Sequence, residues 1–271
     1  MTDAVNGALE QQAEALGARA LLEAVEITVR FGGVMALGGV TLGFPADEIC
    51  GLIGPNGAGK TTLFDTISGI RPPTSGSIVY DGFDITRRSV TWRARQGIRR
   101  TFQRQQTFGW LSVEDNVIAA MEWRGGGGGL LADLVRFPSR HSLELARRRR
   151  VEEVLELCGI ADIAKAPAAS LPLGKARLAE MARAIVDHPR VLLLDEPTSG
   201  LEEAEVESFG QSLRAVREEE HCAVVLVEHD VGFVMRMSDR VVALDLGQVL
   251  ADGSPEQVRN DPAVVAAYFG A

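Results

Sequence analysis

The run GPNGAGKTT, Gly54 to Thr62, follows the spacing G-x-x-x-x-G-K-T and lies between an apolar stretch, DEICGLIG, and the start of a helix-forming one. Phosphate binding needs this pattern. Gly54, Gly57 and Gly59 let a tight loop turn its backbone N–H groups toward phosphate oxygens, and the following helix adds positive potential at its N-terminus. Lys60 supplies a point charge for the terminal phosphates and Thr61 a hydroxyl for Mg²⁺, with Asn56 and Thr62 completing the nucleotide-binding positions. A chance glycine turn shares the composition but has no need of a buried strand before it and a helix start after it.

A second chemical group lies in VLLLDEP, Val191 to Pro197, where an apolar strand ends in two acids. Carboxylates at the end of a buried run are costly unless a cation or a proton-transfer task meets them. Asp195 is expected to bind the Mg²⁺ shell through water, and Glu196 to orient and deprotonate the water that attacks a γ-phosphate. An acid pair after a strand is otherwise an ordinary helix cap; the phosphate loop favours the catalytic reading. His229 closes the strand CAVVLVEH, and Gln103, in RTFQRQ, follows a strand and precedes a helical stretch. In a parallel sheet the His229 imidazole opens on the same edge as the loop and Glu196, and Gln103 could touch both Mg²⁺ and the helical stretch. Taken alone, the histidine would pass as a satisfied polar residue and the glutamine as a surface amide. Phe31 could stack on adenine or serve as a core aromatic.

These residues need a scaffold, and 271 residues with 46% hydrophobic content suffice for one large α/β domain or a domain with an inserted lobe. Acids outnumber bases 37 to 28, a formal charge of -9 that repels nucleic acid, so nucleic acid is not an expected partner. No apolar run approaches the roughly twenty residues of a membrane span. The first twenty residues lack the basic start and apolar stretch of a signal peptide and read as a loose tail or a short helix (1–20) before one domain over 21–271. Cys50, Cys158 and Cys222 are odd in number and set among apolar neighbours, which suits reduced core thiols and the cytosol.

Along that domain, Leu21 to Phe44 is strand-like with FGGVMALGG as a glycine-rich connector, DEICGLIG is a buried strand, Lys60 to about Gly69 a helix, and SIVYDGFDI a hairpin. Residues of about 107–169 change to helical character and read as an inserted lobe. Ser112 and Asp115 form a capping box, and Val151, Val154, Leu155 and Cys158 share one helix face. RGGGGGL inside the lobe is a loop, and ARRRRVEE is either a solvated, self-pairing face or a membrane-surface contact. Then follow a helix from about Lys175 to Asp187, the strand VLLLD, a helix after SGLEEAE and the strand CAVVLVEH. Strands alternating with helices argue a mainly parallel sheet.

The order Phe31, GPNGAGKTT, Gln103, LPLGK, VLLLDEP, SGL, His229 resembles the ATP-binding subunits of ABC transporters over nearly the whole chain after residue 20. RTFQ followed by LSVEDNV, the helical lobe and the ending GSPEQVRNDPAVVAAYFG are similar to the ATPases of branched-chain amino acid importers. That resemblance implies an α/β P-loop NTPase with a mainly parallel central sheet, an antiparallel β subdomain and an inserted helical lobe. It implies ATP and Mg²⁺ as ligands, and roles for Gln103, Glu196 and His229 as Q-loop glutamine, catalytic glutamate and switch histidine. Two such subunits would sandwich two ATP molecules head to tail on the cytoplasmic face of the membrane, bound to two permeases, with an external solute-binding protein acting indirectly.

Two positions depart from the family pattern. Glu202 follows SGL where the family usually carries Asp or Asn. In LPLGK, Pro172 replaces the signature serine whose hydroxyl grips the γ-phosphate held by the other subunit, leaving Leu173, Gly174 and Lys175 to face that site. Loss of one charge-assisted hydrogen bond removes about 1.5–3 kcal/mol. The helix start and the charge of Lys175 or Arg177 offer compensation. The chain therefore either pairs with a different ATPase subunit, giving one strong and one weak site, or tolerates the change with two working sites. Outside transport, the same fold serves translation and DNA-repair ATPases and ATP-sensing modules; the first carry tandem domains or coiled coils, and Glu196 with His229 opposes the second. The transported solute is not written in this chain, and amides, urea or larger hydrophobic compounds stay open beside branched-chain amino acids.

Overall fold

The computed structural model describes residues 20–101, 107–121 and 137–269. In chain order the strands are β1 (Leu22–Phe31), β2 (Val34–Phe44), β3 (Ile49–Ile53), β4 (Ser75–Tyr80), β5 (Phe83–Asp84), β6 (Ile98–Arg100), β7 (Val191–Asp195), β8 (Ala223–Val227), β9 (Arg240–Asp245) and β10 (Gln248–Gly253). The helices are α1 (Lys60–Ser68), α2 (Val90–Arg95), α3 (Val113–Ala119), α4 (Phe137–Leu157), α5 (Leu173–Ile185), α6 (Glu203–Glu220), α7 (Val231–Met237), α8 (Pro255–Arg259) and α9 (Pro262–Phe269). They fall into two compact units. One takes the described residues up to Arg100 with Arg190–Glu196 and those from His221 onward; the other takes those from Thr101 to Pro189 with Pro197–Glu220.

The first unit holds both sheets. Six strands run in the order β10-β9-β3-β8-β7-β6, all neighbours parallel except the antiparallel edge pair of β9 and β10. ICGLI, VLLLD and AVVLV are buried at every position, because a parallel strand covered on both faces has no side left for polar residues. Leu52 on β3 and Asp195 on β7 both pair with Val227 on β8. The three strands therefore end at one level, and Gly54, Glu196 and His229 follow on one sheet edge.

The second sheet, β2-β1-β4-β5, is antiparallel. Here the sequence expectation needs correcting: FGGVMALGG is not a connector, since Val34–Phe44 forms a full strand and only Gly32 and Gly33 turn the chain. Its glycines hid the pattern, while the pairing of β2 with β1 supplies the order that local propensity lacks. Asp81 and Gly82 both take positive φ, 52° and 79°, which suits the tight turn of the β4–β5 hairpin. Side chains of both sheets share one core with α1, among them Ile27, Leu42, Phe44, Leu63, Phe64 and Val225. Arg93 lies fully inside this unit and donates to the carbonyls of Thr66, Ile67, Ile85 and Thr86 at 2.6–2.9 Å, tying the end of α1 to the chain after β5.

The second unit is helical. The described residues between 107 and 169 lie within it, together with α5 and α6. Ser112 caps α3 by accepting the Asp115 N–H at 3.1 Å, and Val151, Val154, Leu155 and Cys158 are all buried. In ARRRRVEE, Arg148 pairs with Glu144 on the surface at 3.0 Å, but Arg150 does not lie on a solvated face. It donates to the carbonyls of Ile185 and Val186 at the end of α5 and pairs with buried Glu220. The glycine run of RGGGGGL and the tail before residue 20 lie outside the described residues.

All three cysteines are free and buried. Burial pushes the thiols of Cys50 and Cys158 up to about 12, so they stay neutral at pH 8. A disulfide-exchange reagent at pH 8 should therefore label none of the three in the folded chain and all three in denaturant; prompt labelling of the native chain would contradict this core.

Candidate functional site

The loop after β3 is built by glycines that no other residue can replace. Gly54 takes φ 154°, and a Cβ there would stand 2.2 Å from the Leu244 carbonyl oxygen. Gly59, at φ 106°, closes the loop as the N-cap of α1, and its Cβ would stand 2.7 Å from Ala36 O. Asn56, Gly57 and Thr61 are exposed and Thr62 half-buried, so the lip of the loop is open while its base is packed. Lys60 is 6% exposed, and its ammonium donates to the carbonyls of Gly54 at 2.6 Å and Pro55 at 3.1 Å. Burial lowers its pKa, and the charges of Glu196 and Asp195 act in the opposite direction.

Across the sheet edge, Glu196 sits just past β7 with its N–H on Val227 O at 2.9 Å and a left-handed backbone, φ 50°. His229 Nε2 lies 2.9 Å from Glu196 Oε1. Against an ionised carboxylate that nitrogen must carry the proton, so the ring holds the glutamate in place. Half of the His229 side chain is open to solvent, and that of Glu196 is 17% exposed. The reason for the meeting is the common level of β7 and β8.

Asp195 has a partner that the sequence did not reveal. Arg100, at the end of β6, donates one nitrogen to Asp195 Oδ2 at 2.8 Å and another to Asp65 Oδ1 at 2.7 Å on α1. Arg100 and Asp195 side chains are only 7% and 5% exposed. Asp195 Oδ1 is buried with no hydrogen-bond partner among the described residues. A buried carboxylate oxygen of that kind, at the end of a strand on the sheet edge that also carries the phosphate loop, fits a hydrated divalent cation. Gln103, expected to join them, lies outside the described residues.

Phe31 is 43% exposed, which rules out the core alternative, and the Arg71 guanidinium covers it with its carbon 4.3 Å from the ring centroid. In the helical unit, Pro172 is the N-cap of α5. Leu173 is exposed and Gly174 buried, where a Cβ would come 2.5 Å from the Glu205 carboxylate. The compensation expected from nearby cations is not found there. The Lys175 ammonium donates to Gly159 O at 3.0 Å, and Arg177 is buried with Glu180 at 3.1 Å, because a long basic side chain near a helix start finds local acceptors first. Glu202 is exposed, its N–H held by Glu205 Oε2 at 3.1 Å.

Replacing Arg100 by Met should cost about 3–5 kcal/mol, because Asp195 stays buried without its cation. Urea unfolding measures this, and adding Asp195→Asn should restore more than half of the loss. A double variant no more stable than Arg100→Met would mean that Arg100 does not act through Asp195.

Known proteins agree with this geometry. A family model described as ABC transporter matches residues 37–199, and one described as branched-chain amino acid ATP-binding cassette transporter matches residues 248–271. The high-affinity branched-chain amino acid transport ATP-binding protein BraF of Pseudomonas aeruginosa is 37% identical over 252 residues, 93% of this chain and 98% of that protein. The corresponding protein LivG of Escherichia coli K12 is 36% identical, covering 92% and 98%. Among solved structures, a nucleotide-free ATP-binding cassette of an ABC transporter matches with TM-score 0.79 at 25% identity, covering 93% and 99%. The cbiO1 protein of Clostridium perfringens matches with TM-score 0.74 at 28% identity, covering 93% and 96%. Relatives that align from end to end, with the loop, the strand-end acids and the histidine on one edge, leave one assignment: the chain belongs to the ABC transporter family, as an ATP-binding subunit that hydrolyses ATP.

Proposed function

We propose that this subunit powers the import of branched-chain amino acids or related small polar solutes. It works on the cytoplasmic face of the membrane as one of two ATPase subunits joined to two permeases, with an external binding protein delivering the solute. The names of the relatives and the match over residues 248–271 support the solute class. Among the described residues no helix is long and apolar enough to cross a membrane, which suits a peripheral role beside membrane partners.

The His229–Glu196 contact on the edge that also carries the Lys60 loop is the observation that carries the mechanism. Lys60 exchanges the Gly54 and Pro55 carbonyls for oxygens of the terminal phosphates, and the amides of the loop and of the α1 N-terminus hold the remaining oxygens. The open face of Phe31 stacks on adenine. Mg²⁺, when bound with the nucleotide, would neutralise charge on the phosphate oxygens. Thr61 Oγ1, and Asp195 Oδ1 through water, fit that ion, with Gln103 as a further ligand. Glu196 takes the proton of the attacking water, and His229 keeps the carboxylate aimed at it.

Leu173, Gly174 and Lys175 face the ATP of a second subunit in this reading. Three features support a mixed pair with one strong and one weak site: Pro172 has no hydroxyl, Glu205 brings a negative charge to Gly174, and Lys175 and Arg177 are engaged elsewhere. The assembled transporter tests this. Glu196→Gln should lower turnover by roughly 100-fold. A residual rate of about half the parental one would mean that both sites work, and an unchanged rate would remove Glu196 from the chemistry.

A further inference from the structure

Arg71 has no place in the mechanism above, yet its guanidinium carbon lies 4.3 Å from the centroid of the Phe31 ring. A cation at that distance over an aromatic face is attracted by the ring quadrupole. The Arg71 Nε is buried without a hydrogen-bond partner among the described residues, which leaves the ring face to offset its loss of water.

The two side chains meet because their backbones are tied together. Arg71 follows Gly69, whose φ of 82° ends α1 and turns the chain, and the Arg71 N–H goes back to Asp65 O at 3.0 Å. Three residues on, Thr74 donates its N–H to Thr28 O at 2.7 Å, and its hydroxyl accepts the Arg30 N–H at 3.1 Å. The loop after α1 is therefore bonded to β1 at residues 28 and 30, directly before Phe31. Phe31 itself ends β1, paired with Val34 of β2. A ring covered on one face has one face left for a ligand, and Phe31 keeps part of its surface open to solvent.

We propose that Arg71 is a positioning residue for adenine: it clamps the Phe31 ring from one side and so presents the other side to the base. The role rests on the reading of Phe31 as the adenine platform. A ring already held in one orientation loses less freedom when the base stacks on it, so the contribution appears in affinity for ligands that carry a base and not in the grip on phosphate.

The test uses the full chain with Mg²⁺ and an ATP analogue that carries its fluorophore on the ribose, and inorganic tripolyphosphate as a competitor without a base. Arg71→Met removes the guanidinium and keeps an unbranched stem; it should weaken ATP binding about two- to fivefold and leave the tripolyphosphate affinity unchanged. Phe31→Ala is the reference and should weaken ATP binding about fivefold or more, again without effect on tripolyphosphate. Adding Arg71→Met to Phe31→Ala should cost nothing further, because the cation acts through the ring. Arg71→Met binding ATP as tightly as the parent, or losing both ligands alike, overturns the proposal. Tighter ATP binding by Arg71→Met also overturns it, since the guanidinium would then be blocking the stacking face. If Phe31→Ala binds ATP normally, the platform reading fails first and the proposal falls with it.

Discussion

An ammonium group almost stripped of water sits among carbonyl oxygens in the loop after β3, and the first unit is arranged around the discomfort of that charge. Lys60 has dipoles for neighbours, Gly54 O and Pro55 O, and feels its acids only across the sheet edge. A buried cation without direct ionic contact is unstable unless its surroundings supply oriented dipoles or a counter-charge. The loop carbonyls do the first. An arriving phosphate does the second, and it meets a charge already desolvated, so little water has to be removed when the two come together.

The acids opposite are kept apart in function by their surroundings. Asp195 is neutralised on one oxygen by Arg100, which also holds Asp65 on the loop's own helix, so β6, β7 and α1 are tied at one point. Glu196, one residue further on, leans on an imidazole instead. The difference follows from the sheet: side chains still inside a strand meet the neighbouring strand and helix, while the residue beyond its end meets whatever leaves the next strand at the same level.

Much of this was readable from residues alone. Where chemistry depends on contiguous sequence, as in GPNGAGKTT and VLLLDEP, the loop, its flanking strand and the helix after it follow directly, and the full burial of β3, β7 and β8 matches their unbroken apolar runs. What escaped depends on partners far along the chain. β2 looks like a glycine connector until β1 pairs with it. Arg100 belongs to a basic stretch, RARQGIRR, whose composition names no partner, and only the parallel pairing of β6 with β7 brings it to Asp195. Lys175 and Arg177 carry the charge to approach a phosphate, but side-chain reach permits nearer acceptors that sequence spacing does not reveal.

The left-handed backbone at Glu196 sets folding against work at a single position. An L-residue with a full side chain pays about 1–2 kcal/mol there that glycine would not. Selection for thermal robustness in the isolated subunit would accordingly drift toward glycine at 196, enriching sturdy but inert molecules. Any library screened by heat challenge needs a parallel turnover screen, or it will discard the working chains first.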